Sequence, residues 1–188
     1  MATRQRNSDE SHAKLKRLIS SRQISKRLNV LAREVSHAIP LKERPIAVIV
    51  LQGAFIFGAD LLRRFPVNYE IDVAFLRCQS YGSEMTSSGH VLLLQDLDPS
   101  IDLRGRTVLL VDDILDSGLT IRFLQAHLRR RGAKRVRLCV LLKRSSRKQK
   151  RPDPDFAGFS VGPEFIVGYG LDFNGKYRHL PDLYSMKT

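Results

Sequence analysis

The 188-residue sequence has little of several features that define whole classes of protein. It has two cysteines, Cys78 and Cys139. Both lie in apolar, strand-like runs, so we expect buried free thiols rather than a disulfide framework or a metal site. No apolar run reaches the ~18 residues of a membrane span, and residues 1–17 lack the apolar centre of a secretory signal. These absences favour a protein of the reducing cytoplasm without a membrane partner.

Acidic residues are scarce relative to basic ones. The chain has 32 Lys and Arg against 19 Asp and Glu, a net charge of +13. This excess favours anionic partners such as phosphorylated metabolites, nucleic acid or an acidic surface. The densest basic run spans residues 143–151, for which a solvated loop is the commoner meaning. A second tract, residues 4–17, is expected to belong to a mobile basic amino-terminal segment covering residues 1–17.

Length and hydrophobic content, 43% of residues, predict one domain, residues 1–188, with a sizeable core. Strand-like runs alternate with helical patterns, which predicts an α/β fold with a parallel sheet flanked by helices. The patterns predict helices over 20–38, 55–64 and 120–128, strands over 46–51, 70–78, 90–95, 108–111, 136–142 and 165–167, and a mobile loop over 79–89. Strands 70–78 and 90–95 are expected to pair as a hairpin.

Residues 108–120 carry the strongest functional signal. An apolar strand leads into acids, a turn and the start of a helix: Asp112, Asp113, Asp116, Ser117, Gly118, Leu119 and Thr120. Open α/β sheets bind ligands in such loops. The N–H groups of the helix start, with the hydroxyls of Ser117 and Thr120, suit a phosphate. Asp112 and Asp113 suit sugar hydroxyls or a phosphate-bound Mg²⁺. The segment therefore predicts a sugar-phosphate site.

The acids also occur in other kinds of site, which fit this sequence less well. A nucleotide triphosphatase needs G-x-x-x-x-G-K-[ST], but the glycine pair Gly53 and Gly58 continues with Ala59-Asp60 and lacks the lysine and the hydroxyl. An isoprenoid-type Asp-Asp-x-x-Asp metal site should lie inside a helix, whereas here a strand precedes it and Gly118 interrupts. Acids in a solvated loop remain the plain alternative. The sequence shows no Ser-His-Asp or Cys-His signal, and its five histidines show no metal-ligand spacing.

Residues 108–120 resemble the phosphoribosyl-pyrophosphate signature of type I phosphoribosyltransferases. That signature is an apolar run, two acids, two apolar residues, Asp or Ala, Ser or Thr, Gly, any residue and Thr. Further matches, which resemble hypoxanthine–guanine phosphoribosyltransferases, follow the order of that family: Leu51-Gln52-Gly53, Ser80-Tyr81, Lys143-Arg144, residues 165–172, and Arg178. The resemblance covers residues 46–181 and implies a single-domain α/β sheet with a small hood built from the two chain ends.

The resemblance implies purine salvage. The reaction would transfer the 5-phosphoribosyl group of phosphoribosyl pyrophosphate to N9 of hypoxanthine or guanine, giving IMP or GMP and pyrophosphate. It implies Mg²⁺ as cofactor, a homo-oligomer (dimer or tetramer), and Asp116 as a general base or proton relay facing purine N7. The implied binding residues are Asp112, Asp113 and Asp116 to Thr120 for the phosphoribosyl group and its 5′-phosphate; Gln52, Gly53 and Arg178 for pyrophosphate; Lys143, Phe165, Ile166 and Asp172 for the purine; Ser80 and Tyr81 for a lid; and Asp112, Asp113 and Asp172 for Mg²⁺, partly through water.

Each of these residues also has a plainer interpretation. Phe165 can pack in a core, Arg178 can make a surface ion pair, and Asp172 can cap a turn. Lys143 can belong to the basic loop, and Tyr81 can be an exposed loop residue.

One departure and two alternatives accompany the resemblance. Gln52 stands where the family carries a lysine beside the pyrophosphate, which removes a positive charge. An adenine phosphoribosyltransferase is disfavoured by Lys143, which donates to an oxo group but not to an amino group. The net charge favours a different alternative, an RNA-binding regulatory protein on the same fold, which the purine-site residues disfavour.

Overall fold

The computed structural model describes residues 15–81, 90–145 and 152–186, except for the side chains of residues 80, 81 and 90. The elements within these ranges are helices α1 (Ser21–Ala38), α2 (Phe55–Leu62) and α3 (Leu119–Arg130), a 3₁₀ turn at Leu41–Glu43, and strands β1 (Leu15–Ile19), β2 (Ile46–Leu51), β3 (Asp72–Tyr81), β4 (His90–Gln95), β5 (Thr107–Leu115), β6 (Arg135–Arg144), β7 (Phe156–Val161), β8 (Phe165–Val167) and β9 (Leu183–Met186). None of the helices in the described ranges is long and apolar enough to cross a membrane.

Six strands form the main sheet, in the order β4-β3-β2-β5-β6-β7. All neighbouring pairs are parallel except β3 and β4, which form the predicted antiparallel hairpin. Helices α1 and α2 cover one face of the sheet and α3 covers the other, so each face has its own apolar core. The predicted α/β fold, a parallel sheet flanked by helices, is confirmed.

Helix α1 illustrates how local sequence sets an element. Ser20 and Gln23 form a reciprocal capping box that satisfies free N–H groups at the helix start. The apolar stripe of the helix is fully buried against the sheet, and comprises Ile24, Leu28, Leu31 and Val35. Each such side chain contributes roughly 1.5–3 kcal/mol through burial. Capping and periodicity therefore account for the predicted helix.

The chain ends form a second, three-stranded sheet, the hood, in the order β1-β9-β8. Both of its strand pairs are antiparallel. The Asp182 carboxylate ties the hood to the core by accepting the Ser21 N–H at the start of α1, at 2.6 Å. Residues 15–17 pair with β9, so the expectation of a mobile segment is wrong for them, while residues 1–14 lie outside the described residues. The predicted strand 165–167 belongs to this hood and not to the main sheet.

Other boundaries differ from the sequence expectations. The strand predicted at 108–111 continues as β5 to Leu115. The reason is that β6 remains paired with it up to the last partners, Leu115 on β5 and Lys143 on β6. Residues 79–81 continue β3 and pair with β4, so a loop was the wrong expectation for these three. The remainder of that predicted loop, residues 82–89, lies outside the described residues. Helix α2 ends two residues earlier than expected, and strands β1, β7 and β9 were not predicted.

Candidate active site

A crevice opens between the two central strands at their carboxyl ends. Strands β2 and β5 pair from Ile46 and Val108 up to Ile49 and Val111. Beyond that point β5 remains paired with β6 only, and β2 turns into the residues before α2. The chain leaves β2 toward one side of the sheet and β5 toward the other, which is the switch point where open α/β sheets bind ligands.

Asp112 and Asp113 lie on β5 where this crevice begins. Asp112 is 7% exposed, and its Oδ1 accepts the Asp113 N–H at 3.0 Å. Asp113 Oδ1 accepts the Ile114 N–H at 2.8 Å. Burial, followed by the charge of Asp113, raises the pKa of Asp112 well above its usual range. Burial also raises the pKa of Asp113. The pair is therefore a buried acidic site whose charge is only partly balanced, which favours a hydroxyl donor or a cation.

Replacing Asp112 with Asn is expected to stabilise the protein at neutral pH in the absence of ligand. A carboxyl with a raised pKa contributes its stability below its unfolded pKa of about 4 and loses it as pH rises through the folded value. The wild type therefore carries a penalty at neutral pH that an uncharged Asn does not carry, while the Asn oxygen still accepts the Asp113 N–H. We expect a gain of about 1–3 kcal/mol, or ~2–4 °C in the unfolding midpoint per kcal/mol, shrinking as the pH is lowered.

Asp96→Asn is the matched control for this measurement. Burial opposes ionisation of Asp96, but the hydrogen bonds from His127 and the Leu97 N–H and the charges of His127 and Arg131 together outweigh it, so the pKa of Asp96 is lowered. Asp96→Asn should therefore lower the unfolding midpoint at neutral pH. Thermal unfolding of both variants over a pH series tests the pair. Destabilisation by Asp112→Asn at neutral pH would contradict the assignment of a buried acid whose charge is only partly balanced.

Gly53 faces the acidic pair from the β2 side of the crevice. A Cβ atom on Gly53 would overlap the Asp113 carboxylate, so only glycine allows the backbone to come this close. Gln52 is exposed, and the peptide bond between Leu51 and Gln52 is cis. Helix α2 begins directly after this turn. The structure therefore brings the predicted pyrophosphate residues Gln52 and Gly53 next to the predicted ribose residues.

Arg178 enters the same region from the chain segment that follows β8. Its Nη1 donates to the Gly170 carbonyl at 2.6 Å, and its Nη2 lies 2.7 Å from Asp172 Oδ1. Its positive charge lowers the pKa of Asp113, against the larger opposing effect of burial. Arg178 is thus a cation that Gly170 O and Asp172 hold near Asp113. The ion pair of the plainer interpretation of Arg178 is therefore present, and the same side chain also lies close enough to Asp113 to affect its pKa.

The start of α3 provides the other side of the crevice. Gly118 caps the helix with a left-handed φ of +77°, and the helix begins at Leu119, one residue earlier than expected. Arg122 N–H is bonded to Gly118 O at 3.0 Å, so the amides before it point out of the helix end. Ser117 Oγ accepts the Leu119 N–H at 3.4 Å. The first turn, Leu-Thr-Ile-Arg, contains no acid. This geometry suits a phosphate.

Asp116 lies between the acidic pair and this helix end. Its side chain is 71% exposed, and Arg144 Nε lies 3.4 Å from its Oδ1. The same arginine donates to the carbonyls of Gly162 and Glu164 at 2.7 and 2.8 Å. Arg144 therefore links Asp116 to the segment that leads into Phe165. A solvent-accessible carboxylate at this position can accept a proton from a bound base.

The predicted purine residues are only partly assembled. Phe165 is 41% exposed and makes an edge-to-face contact with Phe173, with ring centroids 5.5 Å apart. Ile166 is buried under the hood, and its backbone lies opposite Ser185 in the ladder between β8 and β9. Lys143 Nζ is engaged by Asp153 Oδ1 at 2.6 Å. A purine that used Lys143 would have to replace this exposed carboxylate.

The predicted metal set is split. Among the described residues, no three carboxylate, histidine or cysteine side chains are grouped so as to hold a metal. Asp112 and Asp113 are adjacent, but Asp172 is occupied by Arg178 and by the Gly175 N–H at 2.6 Å, which makes it a turn cap as well. Asp172 is thus paired with Arg178 and does not form one cluster with Asp112 and Asp113.

Two other groups of predicted residues are less fully described. Ser80 and Tyr81 end β3, paired with Val91 and His90, and their side chains lie outside the described part of the chain. The structure describes the basic run only from Lys143 to Ser145, and residues 146–151 lie outside the described part of the chain. Both cysteines are free thiols; Cys139 is buried, as expected, whereas Cys78 is only partly buried.

Sequence reasoning gave no role to Phe173 and Arg144. Phe173 directly follows Asp172, and Arg144 belongs to the quoted Lys-Arg match, so both were adjacent to recognised signals. Tyr169 and Asp60, whose side chains are hydrogen-bonded across 109 positions of sequence, were also missed. Only the folded chain reveals these contacts.

Comparison with known proteins agrees with this geometry. Residues 15–174 match the family model of the phosphoribosyl transferase domain. Hypoxanthine-guanine phosphoribosyltransferases of Aquifex aeolicus and Bacillus subtilis are 40% and 39% identical to the chain. These alignments cover 93% and 90% of this chain and 96% and 92% of the relatives. The relatives support the transferase and give no support to the RNA-binding alternative.

Solved structures agree. A hypoxanthine-guanine phosphoribosyltransferase of Bacillus anthracis superposes with a TM-score of 0.82 at 36% identity, covering 93% of this chain and 99% of that one. A hypoxanthine phosphoribosyltransferase of Trypanosoma cruzi, studied for the role of its C-terminal region in oligomeric state and activity, gives 0.82 at 29% identity, covering 95% and 94%. The family match over residues 15–174 and the relatives at about 40% identity show that the chain belongs to the phosphoribosyltransferase family.

Proposed function

We propose that the protein transfers the 5-phosphoribosyl group of phosphoribosyl pyrophosphate to N9 of hypoxanthine or guanine, in purine salvage. The observation that carries the proposal is the crevice itself. One phosphate-binding helix end, one buried acidic pair and one held arginine meet at the switch point of the sheet. A sugar that carries a phosphate at one end and a pyrophosphate at the other needs this set of groups. Similarity at about 40% identity to enzymes named for these substrates supports it.

Each part of the substrate is bound by residues whose charge and hydrogen-bonding groups suit it. The start of α3, with Ser117 and Thr120, binds the 5′-phosphate. Asp112 and Asp113 accept the ribose hydroxyls and stabilise the positive charge that develops on the sugar as the bond to pyrophosphate breaks. Arg178 and the backbone at Gly53 hold the departing pyrophosphate. Phe165 stacks on the purine, and Asp116 takes up the proton that the base releases as N9 bonds to the sugar.

The acidic pair also fits a magnesium ion. Mg²⁺ is bound in proteins through one or two carboxylates together with water and substrate phosphates, so a complete protein cage is not needed. Asp112 and Asp113 supply oxygen ligands with raised pKa values, a sign of charge that a cation would balance. A bound Mg²⁺ would neutralise charge on the leaving pyrophosphate. Asp172 would contribute through water only if its contact with Arg178 rearranged.

Three further expectations remain proposals. The whole chain acts as one catalytic domain. Arg178 lies beyond residues 15–174, which match the family model, yet it contributes to the same site as Asp113 in the main sheet. Ser80 and Tyr81 act as a lid, since β3 ends at the same edge of the sheet as the crevice. A cytoplasmic location is consistent with two free cysteines.

The assignment is tested by reaction stoichiometry. Purified protein with Mg²⁺, phosphoribosyl pyrophosphate and hypoxanthine should form one IMP for each pyrophosphate released. Release of pyrophosphate without IMP, or no release, would reject the proposed reaction.

Replacing Lys143 with Gln is expected to weaken discrimination between 6-oxo and 6-amino purines. A charged hydrogen bond to the oxo group contributes about 1.5–3 kcal/mol, so the kcat/KM ratio of hypoxanthine to adenine should fall by roughly 10- to 100-fold. Lys134→Gln, an exposed lysine at the opposite edge of the sheet, is the control. An unchanged ratio in Lys143→Gln would reject its role.

We also propose that the protein is a homo-oligomer, a dimer or tetramer. Four apolar side chains on the outer face of the β3–β4 hairpin are 42–50% exposed: Val73, Phe75, Leu92 and Leu94. They alternate with residues buried beneath the other face, Ala74 and Leu76 among them. Exposed apolar side chains that share one face of a sheet are typical of interaction sites. The T. cruzi relative, whose oligomeric state has been studied, is consistent with self-association.

Phe75→Asp is expected to shift the protein toward the monomer, because it places a charge in the middle of this face. Val30→Asp, on α1 and 37% exposed, changes a separate apolar surface and should leave the assembly intact. Sedimentation velocity of the two variants and the wild type compares them. A wild-type monomer, or equal behaviour of the variants, would contradict the proposal.

A further inference from the structure

Tyr169 is a buried phenol at the junction of the hood and α2. The residue is 6% exposed, and its O–H donates to Asp60 Oδ2 at 2.5 Å. Asp60 also binds the guanidinium groups of Arg63 and Arg64 at the end of α2. Arg64 Nη2 in turn donates to Ser25 Oγ on α1 at 3.1 Å. The phenol is therefore anchored to a carboxylate that two arginines hold in place.

The backbone around Tyr169 is also constrained. Its φ is +49°, between Gly168 at +98° and Gly170 at +102°. A left-handed φ is uncommon for a residue with a large side chain and persists only where the surroundings maintain it. The Tyr169 N–H donates to Leu180 O at 2.8 Å. The phenol hydrogen bond and this backbone hydrogen bond together hold residues 168–170 in one backbone conformation.

Gly170 carries this constraint into the pyrophosphate region. A Cβ atom on Gly170 would overlap the Gly53 carbonyl, so the two backbones are in direct contact. The Gly170 carbonyl accepts Arg178 Nη1 at 2.6 Å, and the Gly170 N–H donates to Arg178 O at 3.0 Å. The residue after Tyr169 thus touches both proposed pyrophosphate-binding elements.

Helix α2 closes the arrangement. Gly53 lies just before its first turn and Asp60 lies near its end. The helix packs directly on β2, where a Cβ atom on Gly58 would crowd the Ile49 side chain. Because α2 is fixed on the sheet, its two ends define the distance between the Gly53 turn and the Tyr169 anchor.

We propose that the hydrogen bond between Tyr169 and Asp60 positions Arg178 and the Gly53 turn for the pyrophosphate group. The inference rests on the proposed phosphoribosyl transfer. Tyr169 and Asp60 are positioning residues, because they act through Gly170 and α2 rather than on the substrate. Losing the bond should loosen pyrophosphate binding selectively and leave the purine side of the site unchanged.

Tyr169→Phe tests this, with Tyr69→Phe as its matched control. Tyr69 also donates its phenol O–H, to Ile39 O at 2.7 Å, at the opposite end of the sheet. Each variant keeps the ring and loses one phenol hydrogen bond, so a purely structural role predicts the same outcome for both. The measurements are KM for phosphoribosyl pyrophosphate, KM for pyrophosphate in the reverse reaction, KM for hypoxanthine, kcat, and the thermal unfolding midpoint.

We expect Tyr169→Phe to raise both pyrophosphate-linked KM values by about three- to tenfold, with the hypoxanthine KM within twofold. Tyr69→Phe should leave all KM values unchanged. Asp60→Asn retains an oxygen that accepts the phenol and should stay near the wild type, whereas Asp60→Ala should reproduce the Tyr169→Phe pattern by a second route. If Tyr169→Phe and Tyr69→Phe have equal effects, or if the hypoxanthine KM rises as much as the pyrophosphate-linked KM values, this inference is wrong while the proposed function still holds. A wild type without transferase activity would overturn the proposed function as well.

Discussion

Replacing Asp116 with Asn is expected to lower kcat by about 10²- to 10⁴-fold, the usual contribution of a general acid or base. Asn has the same shape and can still face Arg144, which lies 3.4 Å from the native carboxylate. It cannot accept a proton from the purine. Binding of phosphoribosyl pyrophosphate and of IMP should therefore change by no more than a few-fold. Steady-state kinetics and calorimetric titration with IMP measure the two effects separately.

Asp102→Asn is the control for Asp116→Asn. Asp102 is another exposed aspartate paired with an arginine, Arg104, and it lies at the opposite edge of the sheet. Its loss should leave kcat near the wild-type value. If kcat of Asp116→Asn is also near wild type, or if nucleotide binding falls as far as kcat does, Asp116 is not the proton acceptor.

Replacing Arg178 with Gln is expected to raise KM for phosphoribosyl pyrophosphate by roughly 10- to 100-fold. Charged hydrogen bonds contribute about 1.5–3 kcal/mol each, and Gln can retain only part of the contact with Gly170 O. The variant also removes the charge that lowers the pKa of Asp113, so this carboxyl should titrate at still higher pH. Arg178→Lys should recover little, because an ammonium cannot replace the forked guanidinium donors.

Arg104→Gln serves as the comparison for Arg178→Gln, since Arg104 is also bonded to an aspartate but is 83% exposed and remote from the crevice. Kinetics with varied phosphoribosyl pyrophosphate at saturating hypoxanthine gives the required KM values. An Arg178→Gln enzyme with an unchanged KM would remove the arginine from the pyrophosphate site.

The geometry of the proposed phosphate-binding end could be predicted from sequence because its elements are local. Strand, acids, turn and helix start follow one another within residues 108–120, and backbone geometry alone places them at one edge of the sheet. The capped, amphipathic helix α1 was predictable for the same reason: propensity, capping and periodicity agree there. The family resemblance extended this local signal to distant residues.

Contacts between distant segments could not be predicted from patterns. The approach of Gly170 to Gly53 and the bond from Tyr169 to Asp60 arise only when the hood closes on α2. The pairing of Asp172 with Arg178, six residues away, could likewise not be predicted from the motif that made Asp172 a candidate magnesium ligand. Likewise β5 exceeds its apolar run, since β6 continues to pair with it beyond Val111.

Turnover of phosphoribosyl pyrophosphate with each purine base tests the central claim most directly. Purified protein with Mg²⁺ is given hypoxanthine, guanine, xanthine or adenine, and nucleoside monophosphate and pyrophosphate are quantified. We predict that hypoxanthine gives IMP and guanine gives GMP, each in an amount equal to the pyrophosphate released. Adenine turnover should be at least an order of magnitude lower than turnover of either base, because a site built to hydrogen-bond one group rejects an analogue that lacks it. Preferred turnover of adenine, or no nucleotide from hypoxanthine and guanine, would contradict the account.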